Sequence, residues 1–105
     1  MLNLGRTTEE PLFPDIDPKT MKLERDKAKA LRQSRWWQNL IQKTTCYYCQ
    51  TPLAKTQVTM DHIVPVSRGG RSTKGNVAPC CKTCNSQKKY LTPVEWQAYL
   101  DGLNP

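Results

Sequence analysis

Two Cys-x-x-Cys pairs, Cys46 with Cys49 and Cys81 with Cys84, constrain this chain more than anything else in it. Two cysteines separated by two residues in a tight turn bring both sulfurs to one side, and two such knuckles complete a tetrahedron of thiolates around a zinc ion. Four thiolates fill the coordination sphere, so an ion held this way is structural and leaves no position for a substrate. It also staples distant segments together. That matters in 105 residues, a length that allows one domain with a small core. A redox use of the pairs is disfavoured, because neither sits at a strand-to-helix turn of a βαβ pattern. Five cysteines are an odd number, which suits a disulfide framework poorly. Cys80 is the spare: the spacing selects Cys81 over it, and Cys80 reads as a small buried side chain.

Taken in order, residues 1–17 are rich in proline and acidic groups without periodicity, an irregular leader in which Leu12 and Phe13 are candidates to dock on the core. Asp17-Pro18 is an N-cap followed by proline at the first helical position. From there to Lys43 there is no glycine or proline, which predicts one long helix over 18–43. Its expected apolar side is Ala30, Trp37 and Ile41, with Met21, Leu31 and Leu40 nearby; adjacent Trp36 and Trp37 point about 100° apart, so one is core and the other half-exposed. Gln57 to Met60 alternates as a strand, Asn76 to Ala78 returns as its hairpin partner, and Pro79 ends that return. Cys81 to Tyr90 is helical. Thr92-Pro93-Val94-Glu95 opens a last helix with a capping box, expected to bury Val94, Ala98 and some of Trp96, Tyr99 and Leu100 and to stop at Gly102.

The net charge of +7 is uneven: residues 1–17 carry −3, residues 18–43 carry +6 and residues 44–105 carry +4. Such a surplus favours a polyanionic partner, nucleic acid first. Lys22, Arg25, Lys29, Arg32 and Arg35 recur at helical steps, either as a stripe for a phosphate backbone or as a plain solvated face. Arg68, Arg71, Lys74 and Lys88 are further candidate phosphate contacts, weighed against ordinary solvated loop charges. No stretch approaches the ~18 apolar residues of a membrane span. The first ten residues lack the basic start and apolar run of a secretory signal, so the expectation is an intracellular protein with reduced thiols.

Between the two cysteine pairs lies Asp61-His62-Ile63-Val64-Pro65, then Ser67-Arg68-Gly69-Gly70, then Asn76-Val77-Ala78-Pro79-Cys80-Cys81-Lys82-Thr83-Cys84-Asn85-Ser86-Gln87-Lys88. From about Thr45 to Lys89 this order resembles the HNH endonuclease family, whose ββα-metal core carries Asp-His-Ile-x-Pro between two cysteine pairs and an asparagine directly after the last cysteine. The resemblance implies an α+β fold: a small ββα-metal core with two zinc knuckles over residues 44–105, preceded by the basic helix and followed by the C-terminal helix. It implies His62 as general base, Asp61 and Asn85 as ligands of a catalytic Mg²⁺ or Mn²⁺ distinct from the Cys46–Cys49–Cys81–Cys84 zinc, and Asn76 as the partner that orients the His62 ring. It implies hydrolysis of DNA to 5′-phosphate and 3′-hydroxyl ends.

The residue types suit that chemistry. An imidazole with an ordinary pKa of about 6.5 is mostly neutral at pH 7 and can accept a proton from water, and carboxylate and amide oxygens are hard donors for a divalent cation. Neighbours on a strand face opposite ways, so Asp61 and His62 can share one site only across a bend, and a bend is expected there. One active site cuts one strand at a time, and no oligomerisation stretch stands out, which predicts a nicking monomer. The competing class is a non-catalytic zinc-knuckle module that binds nucleic acid; it has no use for Asp61, His62 and Asn85. A cross-brace protein-interaction domain normally needs more than four ligands.

Overall fold

The computed structural model describes residues 16–103; the sites expected at Leu12 and Phe13 lie outside them. Helix α1 spans Pro18–Gln33 and α2 spans Arg35–Leu40. Strands β1 (Thr44–Thr45) and β2 (Pro52–Leu53) form a minimal antiparallel pair. Strands β3 (Thr59–His62) and β4 (Val77–Cys80) form a second antiparallel pair. Helix α3 (Lys82–Lys88) and helix α4 (Pro93–Leu103) complete the chain. The β3–β4–α3 succession is the ββα unit expected from the sequence, and the α+β class is borne out.

Helix α1 opens as expected, with Asp17 Oδ1 accepting from the Thr20 amide at 2.8 Å and proline in the first turn. It does not run on to Lys43. Ser34 is extended (φ −74°, ψ 154°), and its hydroxyl serves both helix ends, donating to Leu31 O at 2.6 Å and accepting from the Trp37 amide at 3.3 Å. Gln38 Nε2 covers the carbonyl of Arg32 at 2.7 Å. A serine that offers the backbone these alternative partners can interrupt a helix without glycine or proline. The buried side of α1 also differs from the expected one: Glu24 and Ala28 are buried, Met21 and Leu31 are half-buried, and Ala30 is exposed. After the break Trp37 and Ile41 are core and Trp36 is half-exposed, as read from the sequence.

In the second sheet Thr59 pairs with Cys80, Met60 with Pro79, Asp61 with Ala78 and His62 with Val77. Pro79 was expected to end the returning strand and instead sits inside it. Its carbonyl points outward, accepting from the Tyr47 amide at 2.9 Å. In an antiparallel strand a residue's N–H and C=O point the same way, so the missing proline N–H falls on the side away from β3 and no ladder bond is lost. The strand expected over Gln57 to Met60 starts later, since Lys55–Gln57 is a 3₁₀ turn.

The loop from β3 to β4 is closed by glycine and asparagine. Gly69 has φ +94°, a left-handed conformation that side chains disfavour. Gly70 is pressed against the chain: a Cβ there would lie 1.7 Å from Val64 O. In α4 the capping box forms, with Thr92 N donating to Glu95 Oε1 (3.0 Å) and Glu95 N to Thr92 Oγ1 (3.4 Å). Trp96 is buried and stands edge-on to Tyr48. Val94 and Ala98, expected inside, are exposed, and the helix continues through Gly102 to Leu103. The helix docks through the Trp96 ring and the Glu95 carboxylate, which pairs with Arg68, with Leu100 half-buried beside them.

Candidate functional site

The first knuckle is a turn in which Cys46 N donates to Thr51 O and Gln50 N to Cys46 O. The amides of Tyr48 and Cys49 point at Cys46 Sγ at 3.4 and 3.5 Å. In the second, Cys81 caps α3 and its sulfur accepts from the Cys84 amide at 3.3 Å. The four sulfurs lie within 4.8 Å of one another, with Cys49 and Cys81 at 3.9 Å. A tetrahedron with metal–sulfur bonds of about 2.3 Å has edges of about 3.8 Å, so the cluster is positioned to hold one metal ion. Burial alone would raise the Cys46 thiol, yet the amides of Cys49, Cys81 and Tyr48 outweigh it and bring its pKa down to about 6. Cys80 is fully buried, its thiol donates to Cys81 O at 3.2 Å, and burial pushes its pKa up. One sulfur is prepared as a thiolate; a neighbour of Cys81 in sequence is kept protonated.

Strand β3 presents Asp61 and His62 to opposite sides. Asp61, 5% exposed, faces α3: its Oδ2 accepts from Tyr48 OH and lies 3.1 Å from the ammonium of Lys88, which is itself fully buried. That ammonium also donates to the His62 carbonyl at 3.1 Å and sits over the Tyr48 ring. One strand step away on the same face, Thr59 Oγ1 accepts from Asn85 Nδ2 at 2.9 Å. Asp61 and Asn85 therefore share the β3–α3 interface. His62 turns to the other face, where Nε2 lies 2.8 Å from Ser72 Oγ. Its pKa is lowered, first by burial; Asp61 and Glu24 act against that, while Arg32 and Lys88 add to it.

The bend expected between Asp61 and His62 is displaced. The ladder is regular through His62, Ile63 N continues it to Asn76 O at 2.8 Å, and the chain bends at Ile63 and Val64. Asn76 clamps that bend. Its side chain accepts from Val64 N and donates to the carbonyls of Val64 and Arg71. The ring of His62 is met by Ser72 instead, so Asn76 bonds to the turn rather than to the imidazole.

Of the four cations expected to meet phosphate, Lys88 is corrected outright: it is sealed inside as the counter-charge of Asp61. Arg68 makes a two-pronged ion pair with Glu95 at 2.8 and 3.1 Å. Arg71 is exposed and pairs with Glu24 (3.3 Å), and Lys74 lies over the Trp36 ring at 5.4 Å. The stripe of Lys22, Arg25, Lys29, Arg32 and Arg35 is exposed throughout. Among the described residues no helix is long and apolar enough to cross a membrane.

Residues 46–96, which contain both knuckles, β3, β4 and α3, match the family model described as HNH endonuclease. This segment is similar to an HNH endonuclease core. A curated relative, the CRISPR-associated endonuclease Cas9 of Corynebacterium diphtheriae, is 33% identical over 63 residues, which is 57% of this chain and 6% of that protein. The chain thus spans a small fraction of that relative's length. The HNH core ends short of α1, yet α1 sends Glu24 into it, and Glu24, Ser72, Thr59 and Tyr48 are the participants that the motif order did not point to. A signal for Glu24 was present: Met21, Glu24, Ala28 and Leu31 recur at three- and four-residue steps, the spacing of a buried helix face.

Proposed function

We propose that the protein is a DNA endonuclease in which the HNH core hydrolyses phosphodiester bonds with the help of Mg²⁺ or Mn²⁺, nicking one strand to leave 5′-phosphate and 3′-hydroxyl ends. The observation that carries this reading is the conjunction, within the matched residues, of Asp61 and His62 at adjacent positions of β3 with Asn85 of α3 packed on the Asp61 face. His62 acts as general base: its lowered pKa keeps the ring neutral at pH 7 and able to accept a proton from water. Asp61 and Asn85 supply hard oxygens suited to a divalent cation. When bound, such an ion would stabilise the negative charge that builds on phosphate oxygens. It has to compete with Lys88, whose ammonium already neutralises Asp61. The sulfur cluster is assigned to zinc, since four thiolates with knuckle spacing are its preferred structural donor set. The exposed cations of α1 and the β3–β4 loop are assigned to the DNA backbone, and the expected unit is a monomer working inside the cell.

The test is conversion of supercoiled plasmid to open circle across a series of divalent metals, with the zinc-loaded protein. His62→Ala is expected to abolish nicking and to retain DNA binding; wild-type nicking by that variant would remove His62 as the base. A second reading, a non-catalytic zinc-knuckle module that binds nucleic acid, is favoured by one observation: Asp61 and His62 face opposite sides of β3. It predicts DNA binding without strand scission in any metal.

A further inference from the structure

His62 is the one histidine of the chain, and the serine that meets its ring, Ser72, is itself gripped from outside the matched core. Ser72 Oγ has a single proton. It lies 2.8 Å from His62 Nε2 and 2.7 Å from the main-chain carbonyl of Glu24. A carbonyl can only accept, so the Ser72 proton goes to Glu24, and Ser72 meets the imidazole as an acceptor. Nε2 must then carry the hydrogen, which leaves the lone pair of the neutral ring on Nδ1. Ser72 is itself gripped a second time, its amide donating to Glu24 Oε1 at 2.6 Å. The other carboxylate oxygen of Glu24 meets Arg71 Nε at 3.3 Å and Lys27 Nζ at 3.5 Å.

Glu24 is 1% exposed. Burying a carboxylate is costly unless it is paired and hydrogen-bonded, and an apolar residue there would have continued the face of Ala28 and Leu31. The pairing it receives is spent on fixing one serine against one imidazole.

We propose that Glu24 and Ser72 are positioning residues of the nuclease site, an arm from α1 that holds His62 in the Nε2–H tautomer and makes Nδ1 the nitrogen that accepts the proton. This rests on the reading of His62 as general base. In the step, Nδ1 takes a proton from the attacking water and the ring becomes imidazolium. The water oxygen forms the new bond to phosphorus, the bond to the 3′ oxygen breaks, and that oxygen is protonated from solvent. It follows that α1 belongs to the working unit although it lies outside the matched residues, and that the core alone is an incomplete enzyme.

The experiment uses the full zinc-loaded chain. Long-range ¹⁵N–¹H correlation of the single imidazole, at about pH 8 where an ordinary histidine is neutral, reads the tautomer directly. The wild-type spectrum is expected to show a protonated Nε2 and a bare Nδ1. Ser72→Ala removes the hydroxyl and leaves the amide bond to Glu24 in place. It is expected to give a mixture of tautomers and to lower kcat for nicking about ten- to a hundredfold, with KM unchanged, the scale of a misplaced catalytic group. Ser72→Thr restores the hydroxyl and is expected to recover both the spectrum and kcat. An Nδ1–H tautomer in the wild type overturns the proposal, and so does Ser72→Ala with wild-type spectrum and kcat. Should Ser72→Ala lose zinc or helicity, the wild-type spectrum decides alone. A wild-type protein that shows the Nε2–H tautomer but nicks DNA in no metal defeats the nuclease reading and leaves the arm standing as structure.

Discussion

The pair formed by Asp61 and Lys88 carries a large, measurable free energy. The two charges are 3.1 Å apart, with the lysine side chain fully buried and the aspartate 5% exposed. At that distance and an effective dielectric constant of about 20, the attraction is about 5 kcal/mol. Removing one partner strands the other charge in the interior, which costs about 3–5 kcal/mol. A chain of this length has about 5–15 kcal/mol of stability in all, so either Asp61→Asn or Lys88→Met is expected to consume about a fifth of it or more. Lys88→Met also loses the bond to the His62 carbonyl. The double variant leaves no stranded charge and is expected to be no worse than the poorer single one, giving a coupling energy of about 3 kcal/mol. The assay is reversible urea unfolding followed by circular dichroism at one fixed, saturating zinc concentration, because bound metal adds to apparent stability. Additive single costs, with coupling below about 0.5 kcal/mol, would refute the buried pair.

Three other outcomes follow from the same structure. Gly70→Ala would place a Cβ 1.7 Å from Val64 O and is expected to cost about 3 kcal/mol by overpacking, whereas Gly75→Ala, with nothing within 4 Å, is expected to be near neutral in the same unfolding assay. Chelation, or Cys49→Ser, is expected to unfold the zinc-loaded protein together with loss of its metal, while Cys80→Ser retains one zinc per chain by metal analysis. Glu95 is held at a pKa of about 2, below its usual 4.5, by Arg68 first and then the Thr92 amide. Its folded pKa is depressed, so its stabilisation is complete above about pH 4.5 and fades as pH falls towards 2. The difference in melting temperature between wild type and Glu95→Gln should shrink over that window, and a constant difference would contradict the assignment.

Much of this was legible in the chain because its chemistry is local. Cysteine spacing fixes which sulfurs converge, and Cys81 rather than Cys80 joins the cluster as the spacing requires. Asp17-Pro18 and Thr92-Pro93-Val94-Glu95 cap their helices through bonds spanning three residues. What escaped was set by contacts distant in sequence. Ser34 breaks a helix of good helix formers because its hydroxyl satisfies both ends. Pro79 stays in a strand because only the outward side of β4 lacks a donor, a fact of sheet position. Lys88 looked like a surface cation until Asp61, on another element, drew it inward. The partner of His62 came from Ser72 and α1, and no spacing rule connects residue 24 to residue 72.

Strand pair β3–β4 is only four residues deep, and its last rung places Cys80 immediately before a sulfur of the cluster. A shift of the returning strand by one position would offer Cys80 to the ion in place of Cys81, so the chain carries its own decoy ligand. The same shift would turn each side chain of β4 to the opposite surface of the ribbon, and the rungs beneath Asp61 and His62 would be inverted. Choosing the correct thiol is therefore also choosing the correct alignment, and an ion bound by the four sulfurs would favour the pairing on which both halves of the site depend.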